Sequence, residues 1–176
     1  MIGILDACFI IDRSLYNKKE ILKEIFSTLY ITSDVFNELK TIHAYDMIIN
    51  WRGSNLCVVV DLTEHELKKV RQLMRTVDEN PAMPAIDFPE ATALVYAKEY
   101  GIKYVLTENK GAKTVPESVD EFSDIQVWGA LEILNYADSN NIGNFMNLKE
   151  AIEEYCVDTK HFFKKQALKN FGINIK

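Results

Sequence analysis

The chain has 176 residues, which is enough for one globular domain with a small appendage. Hydrophobic residues make up 48% of it, and this content excludes a disordered chain. The net charge of −6 excludes a protein that coats nucleic acid through overall positive charge, so any nucleic-acid contact must be local or mediated by a metal.

The three cysteines predict free thiols in a reducing compartment. They lie far apart and lack both the spacing of zinc ligands and a disulfide pattern; they are Cys8, Cys57 and Cys156. The apolar N-terminus is interrupted by Asp6, and no apolar run approaches the roughly 20 residues that a membrane span needs. We therefore expect a cytoplasmic protein without membrane contact.

Strand and helix patterns alternate along the first half of the chain. Residues 2–5, followed by the apolar stretch up to residue 11, are typical of a buried parallel strand. Residues 18–29 have helical spacing, residues 30–32 predict a second strand, and Ser33 caps a helix that continues through residues 46–52.

The second half continues the alternation. Residues 56–60 and 103–107 predict strands, and residues 124–127 predict a fifth. Thr63 and Glu66 form a capping box, and Asp87 and Glu90 form another one behind a proline-rich loop over residues 78–89. Helical spacing returns from residue 128 to 137 and again in the tail. The expected fold is α/β, with a mostly parallel sheet of four to five strands covered on both faces.

Acidic residues stand where the predicted strands end, and these ends converge on one crevice in an open α/β sheet. They are Asp6, Glu38, Glu90 and Glu108. Carboxylates that meet in a crevice repel each other, and a divalent cation removes that repulsion, so the pattern predicts a metal site. Each acid also has a structural interpretation: a turn residue for Asp6 and Glu108, an exposed helical residue for Glu38, and a helix cap for Asp87 with Glu90.

Four segments, in this order, carry a resemblance to the PIN domain family, the nuclease fold of many bacterial toxins. They are residues 4–11 (ILDACFII), 32–39 (TSDVFNEL), 87–94 (DFPEATAL) and 105–113 (VLTENKGAK). Residues 127–134 (VWGALEIL) resemble the helix after the last strand in one PIN subgroup. The resemblance implies a three-layer α/β/α nuclease domain over residues 1–137 and a C-terminal helical extension over residues 138–176, packed on the same domain.

The resemblance also implies an activity, a cofactor and ligands. The implied activity is endonucleolytic cleavage of single-stranded RNA, and the implied cofactor is Mg²⁺ or Mn²⁺. Asp6, Glu38 and Glu90 match metal-binding acids of the family, and the fourth ligand is either Glu108 or Asn109. Asp87 matches an acid that supports the ligands from outside. Two positions depart from the family pattern, because Cys8 replaces a Ser, Thr or Asn, and Pro89 replaces a Gly.

An acidic chain needs local cations to hold RNA. We expect Lys110 and Lys113 to contact the substrate, because they follow the fourth strand next to the predicted metal site. Two further clusters are candidates: Lys68, Lys69, Arg71 and Arg75; and Lys160, Lys164, Lys165 and Lys169, interleaved with Phe162 and Phe163. An antitoxin protein and a homodimer partner are also expected, and the aromatic residues of the tail (Phe162, Phe163 and Phe171) either form such a contact or belong to the core.

Four other interpretations remain. The domain is a catalytically inactive PIN-like module that binds RNA or protein, or a PIN-like nuclease that acts on DNA. A phosphatase with an Asp nucleophile is less favoured, because that class needs a second Asp where Cys8 stands. A nucleotide-binding fold is disfavoured by the absence of a Gly-rich loop after the first strand.

Overall fold

The computed structural model of the chain describes residues 1–173. Five strands form one parallel sheet in the order β3-β2-β1-β4-β5. The strands are β1 (Ile2–Leu5), β2 (Thr28–Thr32), β3 (Cys57–Val60), β4 (Tyr104–Leu106) and β5 (Gln126–Trp128). The parallel sheet predicted from the alternating pattern is confirmed, and its strand order reverses next to β1. The carboxyl ends of β1, β2 and β4 therefore share one edge.

Helices cover both faces of this sheet. They are α1 (Ala7–Ser14), α2 (Ile21–Ile25), α3 (Ser33–Glu38), α4 (Ile42–Gly53), α5 (Glu64–Asp78), α6 (Phe88–Glu99), α7 (Lys110–Ser118), α8 (Ala130–Ser139), α9 (Leu148–Thr159) and α10 (Lys165–Asn170). Two hydrophobic clusters flank the sheet. Leu5 belongs to the cluster with α1, α4 and α8, whereas its neighbour Ile4 belongs to the cluster with α5 and α6. This alternation confirms the three-layer α/β/α architecture.

Two of the predicted helix starts are confirmed in detail. At α5, Thr63 Oγ1 accepts a hydrogen bond from Glu66 N, and Glu66 Oε2 accepts one from Thr63 N. Asp87 and Glu90 form the same reciprocal pair at α6. Each box satisfies backbone N–H groups that a helix start leaves without intrahelical partners.

Several predicted boundaries are wrong. The strand at the N-terminus ends at Leu5, because Asp6 caps α1, which contains residues 7–14. The helix predicted for residues 18–29 is the short α2, because Thr28 already pairs with Ile2 in the sheet. The helix predicted from residue 33 is interrupted between α3 and α4. Helix α7 was not predicted at all, and it contains Pro116.

The C-terminal helices pack against the same hydrophobic cluster as α1 and α8. Ile152 and Tyr155 of α9 and Leu168 of α10 are buried there. The division into residues 1–137 and 138–176 stays a prediction, and its last three residues lie outside the described part of the chain. Among residues 1–173, no helix combines the length and hydropathy needed to cross a membrane.

Candidate metal centre

Asp6 stands at the end of β1, where its side chain is almost completely enclosed. Its Oδ1 accepts a hydrogen bond from Ala7 N at 2.7 Å, and its Oδ2 accepts bonds from Thr107 Oγ1 at 2.8 Å and Cys8 Sγ at 2.6 Å. Burial raises the pKa of this carboxyl despite the three donors, and the charge of Asp87 raises it further. The fold thus fixes the orientation of Asp6, and no cationic side chain among residues 1–173 neutralises it.

Glu90 lies in the first turn of α6 and faces the same crevice. Glu90 is only 4% exposed, and the pKa of its carboxyl is raised to about 7 by burial and by the charges of Asp87 and Asp6. The hydrogen bond from Asp87 N and the side chain of Asn109 favour the charged form but do not cancel these effects. Asp6, Asp87 and Glu90 are therefore electrostatic neighbours, although they are far apart in the sequence.

Glu38 approaches this group from α3. Its pKa is raised by partial burial and then by Asp87 and Asp6, which places its carboxylate within their field. Two buried threonines connect the helices that carry these acids. Thr32 caps α3, and its Oγ1 lies 3.0 Å from Oγ1 of Thr92 on α6. Glu38 itself is exposed, so it forms the open side of the crevice.

Glu108 points away from these acids. Its Oε1 accepts a hydrogen bond from Ala130 N at 2.5 Å, at the start of α8. Burial raises its pKa, and the opposing charges nearby are those of Lys113 and His161. A methyl group at Gly129 would lie 2.7 Å from Glu108 Oε2, so glycine leaves room for this carboxylate. Asn109 turns toward Glu90, while its Oδ1 caps α7 by accepting from Gly111 N and Ala112 N.

A family model described as a PIN domain matches residues 2–171. The chain belongs to the PIN domain family. The match continues beyond the resembling segments and includes the helices after residue 137. No curated protein matches the chain with significance. PIN domains are in general nucleases that depend on divalent metal ions, and this general property is what family membership contributes.

The carboxylates of this PIN domain are chemically suited to bind a hard divalent cation. The group offers carboxylate oxygens, the ligands that Mg²⁺ and Mn²⁺ prefer. Within residues 1–173, no lysine, arginine or histidine forms an ion pair with Asp6, Asp87 or Glu90. The described side chains do not converge into a group of three or more that would enclose an ion as they stand. Ligation would therefore require Glu38 or another rim carboxylate to turn inward.

The cysteine that departs from the PIN pattern remains a thiol. Burial raises the pKa of Cys8 to about 12, and the adjacent Asp6 charge acts in the same direction. The Cys8 thiol donates to Asp6 in the way that a hydroxyl would at this position. The departure therefore preserves a hydrogen-bond donor, although a weaker one.

The two lysines that were predicted to contact substrate differ in their surroundings. Lys113 pairs with Glu132 at 3.6 Å and neighbours Glu108. Lys110 is fully exposed and lies beside Lys164 of the C-terminal tail. Lys110 is thus available to an anion, whereas the charge of Lys113 is already compensated.

Sequence reasoning missed Thr107, whose hydroxyl binds Asp6. Thr107 directly follows β4, so its position at a strand end was the available signal that its hydroxyl could lie beside Asp6. The link between Thr32 and Thr92 carries no comparable sequence signal, since it joins residues on two separate elements.

Proposed function

We propose that the protein is a metal-dependent endoribonuclease that hydrolyses phosphodiester bonds of single-stranded RNA with Mg²⁺ or Mn²⁺. One observation carries the proposal. Two buried carboxyls, Asp6 and Glu90, and the exposed Asp87 repel each other at the strand ends of a PIN domain, and within residues 1–173 no cationic side chain pairs with them. Such a group is costly for folding alone and is favourable when it binds a cation.

In the proposed site some residues bind the ion directly, and others position these ligands. Asp6, Glu38 and Glu90 are the proposed ligands, and Asp87 and Asn109 support Glu90. The Ala7 amide, the Cys8 thiol and the Thr107 hydroxyl orient Asp6 from behind. When bound, a divalent cation supplies the Lewis acidity that phosphodiester hydrolysis needs. Because Glu108 is engaged at α8, we assign it to stabilising the fold and retain Asn109 as the residue nearest the fourth position.

Glu90 Oε2 accepts the bond from Asp87 N and leaves Oε1 for another partner. The capping box therefore holds Glu90 in place for ligation. No covalent intermediate is needed, since the proposed chemistry is direct hydrolysis.

The test is cleavage of a labelled single-stranded RNA with Mn²⁺, beside a DNA of the same sequence. Asp6→Asn should abolish cleavage and retain the fold. The matched control is Asp61→Asn, because Asp61 also follows a strand but is exposed at the end of β3. Cleavage by Asp6→Asn at the parent rate would refute the assignment, and preferential cleavage of the DNA would refute the substrate.

The second candidate is an inactive PIN-like module that binds RNA. The exposed ammonium group of Lys110 favours this second candidate, because it can bind an RNA phosphate without a metal ion. RNA binding without Mn²⁺ binding would establish this function. An antitoxin and a homodimer stay predictions. Of the tail aromatics expected to contact a partner, Phe162 is 86% exposed, whereas Phe163 and Phe171 pack against the core.

A further inference from the structure

One face of α5 carries a row of exposed cations. Lys68, Arg71 and Arg75 follow each other at intervals of three and four residues, so they form a stripe about 10 Å long on one side of the helix. The buried residues of α5 lie on its opposite side and pack in the same hydrophobic cluster as α6. The three cations, called the α5 stripe below, therefore face solvent.

The α5 stripe borders an open depression of about 490 Å³. The side chains that line this depression all come from α5 and are all exposed; they are Lys68, Arg71, Gln72, Arg75 and Thr76. Each of them can donate a hydrogen bond, and none of them is apolar. The depression thus offers positive charge together with an amide and a hydroxyl.

No carboxylate in the described part of the chain, residues 1–173, forms an ion pair with the α5 stripe. Glu64 and Glu79 lie four residues before Lys68 and four residues after Arg75, but neither pairs with them. Lys69 on the same helix differs, because it pairs with Glu99 of α6 at 2.6 Å. Like charges placed side by side repel each other, and an anion bound between them converts this repulsion into attraction.

The α5 stripe runs toward the candidate metal centre. The ion pair between Lys69 and Glu99 joins the beginning of α5 to the end of α6, and residues 79–87 connect the end of α5 to the start of α6. The two helices are therefore antiparallel. Lys68 lies toward the far end of α6, and Arg75 lies toward the end of α6 that carries Glu90.

We infer that the α5 stripe is a sequence-independent binding site for the phosphate backbone of RNA, and that it holds a part of the strand outside the candidate metal centre. Guanidinium groups bind phosphate through two parallel hydrogen bonds, and Gln72 and Thr76 supply neutral donors beside them. Contacts to phosphate position a strand but do not read its sequence. The inference rests on the proposed substrate and assigns α5 a part in binding it.

The lining of the depression favours a nucleic acid over a protein partner. Interfaces between proteins place apolar and aromatic side chains at their centre, whereas interfaces with nucleic acids are more polar and more positively charged. The α5 stripe is surrounded by polar side chains only, on a chain with a net charge of −6. A phosphate backbone therefore matches this surface better than an acidic peptide does.

The test measures binding separately from cleavage. Fluorescein-labelled eicosauridine is titrated with the Asp6→Asn protein in EDTA, and anisotropy is followed over a series of salt concentrations. Replacing all three cations of the α5 stripe by Ala should lower the magnitude of the slope of log affinity against log salt by about 2, since each contact with a single strand contributes about 0.7. The fold should be retained, because alanine favours helices and the three side chains are exposed.

The matched control replaces three lysines that already pair with a carboxylate by Ala; they are Lys23, Lys98 and Lys149. Both triple variants lower the net charge of the chain by the same amount. The control should keep the slope of the parent, because its three cations are compensated before RNA binds. The comparison therefore separates contacts made by the α5 stripe from an effect of total charge.

A kinetic measurement follows in the chain that retains Asp6. With Mn²⁺, the triple Ala variant of the α5 stripe should raise KM for eicosauridine and leave kcat unchanged. The reason is that contacts outside the metal centre are the same in the bound substrate and in the transition state.

Four results would overturn the inference: an unchanged slope in the variant of the α5 stripe, an equal loss of slope in the control, a lower kcat at constant KM, or a glutamate peptide of equal charge that competes as strongly as the RNA. If Mn²⁺-dependent cleavage by the parent nevertheless requires Asp6, the proposed nuclease function stands without this surface. Binding that depends on the α5 stripe, in a parent that does not cleave, would support the surface and refute the catalytic proposal.

Discussion

Glu66 and Glu90 occupy the same position in two capping boxes, yet their pKa values move in opposite directions. Burial opposes charge at Glu66, but hydrogen bonds from Thr63 and Tyr100 outweigh it and lower the pKa. At Glu90, burial and two neighbouring carboxylates raise the pKa to about 7. The local motif is the same, so the difference comes from what surrounds it. The surroundings of Glu90 disfavour the charge that a metal ligand must carry.

This contrast predicts opposite effects of one substitution on stability. The raised pKa means that folded Glu90 retains a proton between pH 4.5 and 7, where the unfolded chain has lost it, so stability falls as the pH rises through this range. At pH 8 without divalent cations, Glu90→Gln should therefore increase the free energy of unfolding by on the order of 1–3 kcal/mol. Urea denaturation of the parent and the variant in EDTA measures this difference in the free energy of unfolding.

Glu66→Gln is the control for this prediction. Because its folded pKa is lowered, the charge of Glu66 contributes stability above the unfolded pKa and loses it as the pH falls through the folded value. Its replacement should therefore destabilise the protein at pH 8. Destabilisation by both variants would contradict our account of the crevice.

Metal binding should depend on pH through Glu90. Below a pH of about 7 this carboxyl holds a proton that a cation must displace, so Mn²⁺ affinity should rise about tenfold per pH unit up to that value and then level off. Calorimetric titration with Mn²⁺ from pH 5.5 to 8.5 measures the profile. Glu90→Gln should bind more weakly and with a flatter profile; an unchanged profile in this variant would assign the titration to another group.

Cys8 should tune the charge of Asp6. Its thiol donates to Asp6 Oδ2, so Cys8→Ala removes one of two donors to that oxygen and should raise the pKa of Asp6 further. Cys8→Ser supplies a stronger donor and should lower the pKa below that of the parent. Carbon-detected NMR of the Asp6 carboxyl measures both. Identical titration in the Ala and Ser variants would show that the thiol has no such role.

The assignment of Glu108 to the fold, and of Glu38 to the ligand set, can be tested by single substitutions. Glu108 bonds Ala130 N and faces Lys113, so Glu108→Gln should leave Mn²⁺ affinity unchanged while Glu38→Gln weakens it. Calorimetry at pH 8 compares them. Loss of affinity in Glu108→Gln alone would return Glu108 to the ligand set.

Gly111 should be intolerant of any side chain. A methyl group there would overlap the carbonyl oxygen of Ala85, in the loop that leads to Asp87. Gly111→Ala should therefore destabilise the fold by about 1–3 kcal/mol, although alanine favours helices. Gly53→Ala is the control, because a methyl group there meets nothing within 4 Å and should stabilise α4 by up to about 1 kcal/mol. Equal thermal stability of both variants would contradict the close approach.

The sequence was informative wherever local chemistry decided the structure. The capping boxes at Thr63 and Asp87 identified two helix starts, and the apolar runs identified five strands. It failed where tertiary contacts override local preference. Helix α7 carries a glycine and a proline, which hide its periodicity, and its place is set by the close packing of Gly111 on the preceding loop.

The candidate site shows the same division. The sequence grouped Asp6 with Glu90, and in the structure the charge of Asp6 acts on Glu90; their role as metal ligands stays a prediction. The direction of the Glu108 side chain depends on the packing of α8, which no motif around residue 108 encodes. The position of the tail follows from the contacts of His161 with Asp12 and of Phe163 with Tyr155, which no motif in the tail encodes.

Glu90 gives one oxygen to the backbone, and in the proposed site the other oxygen binds the ion. A glutamine in its place would still close the first turn of α6, since its amide oxygen accepts the same bond. Replacing one carboxylate oxygen by an amide nitrogen would then remove the proposed nuclease activity and increase the stability of the fold. The single substitution Glu90→Gln would thus produce a more stable variant without the proposed activity, and selection for folding alone would not oppose it.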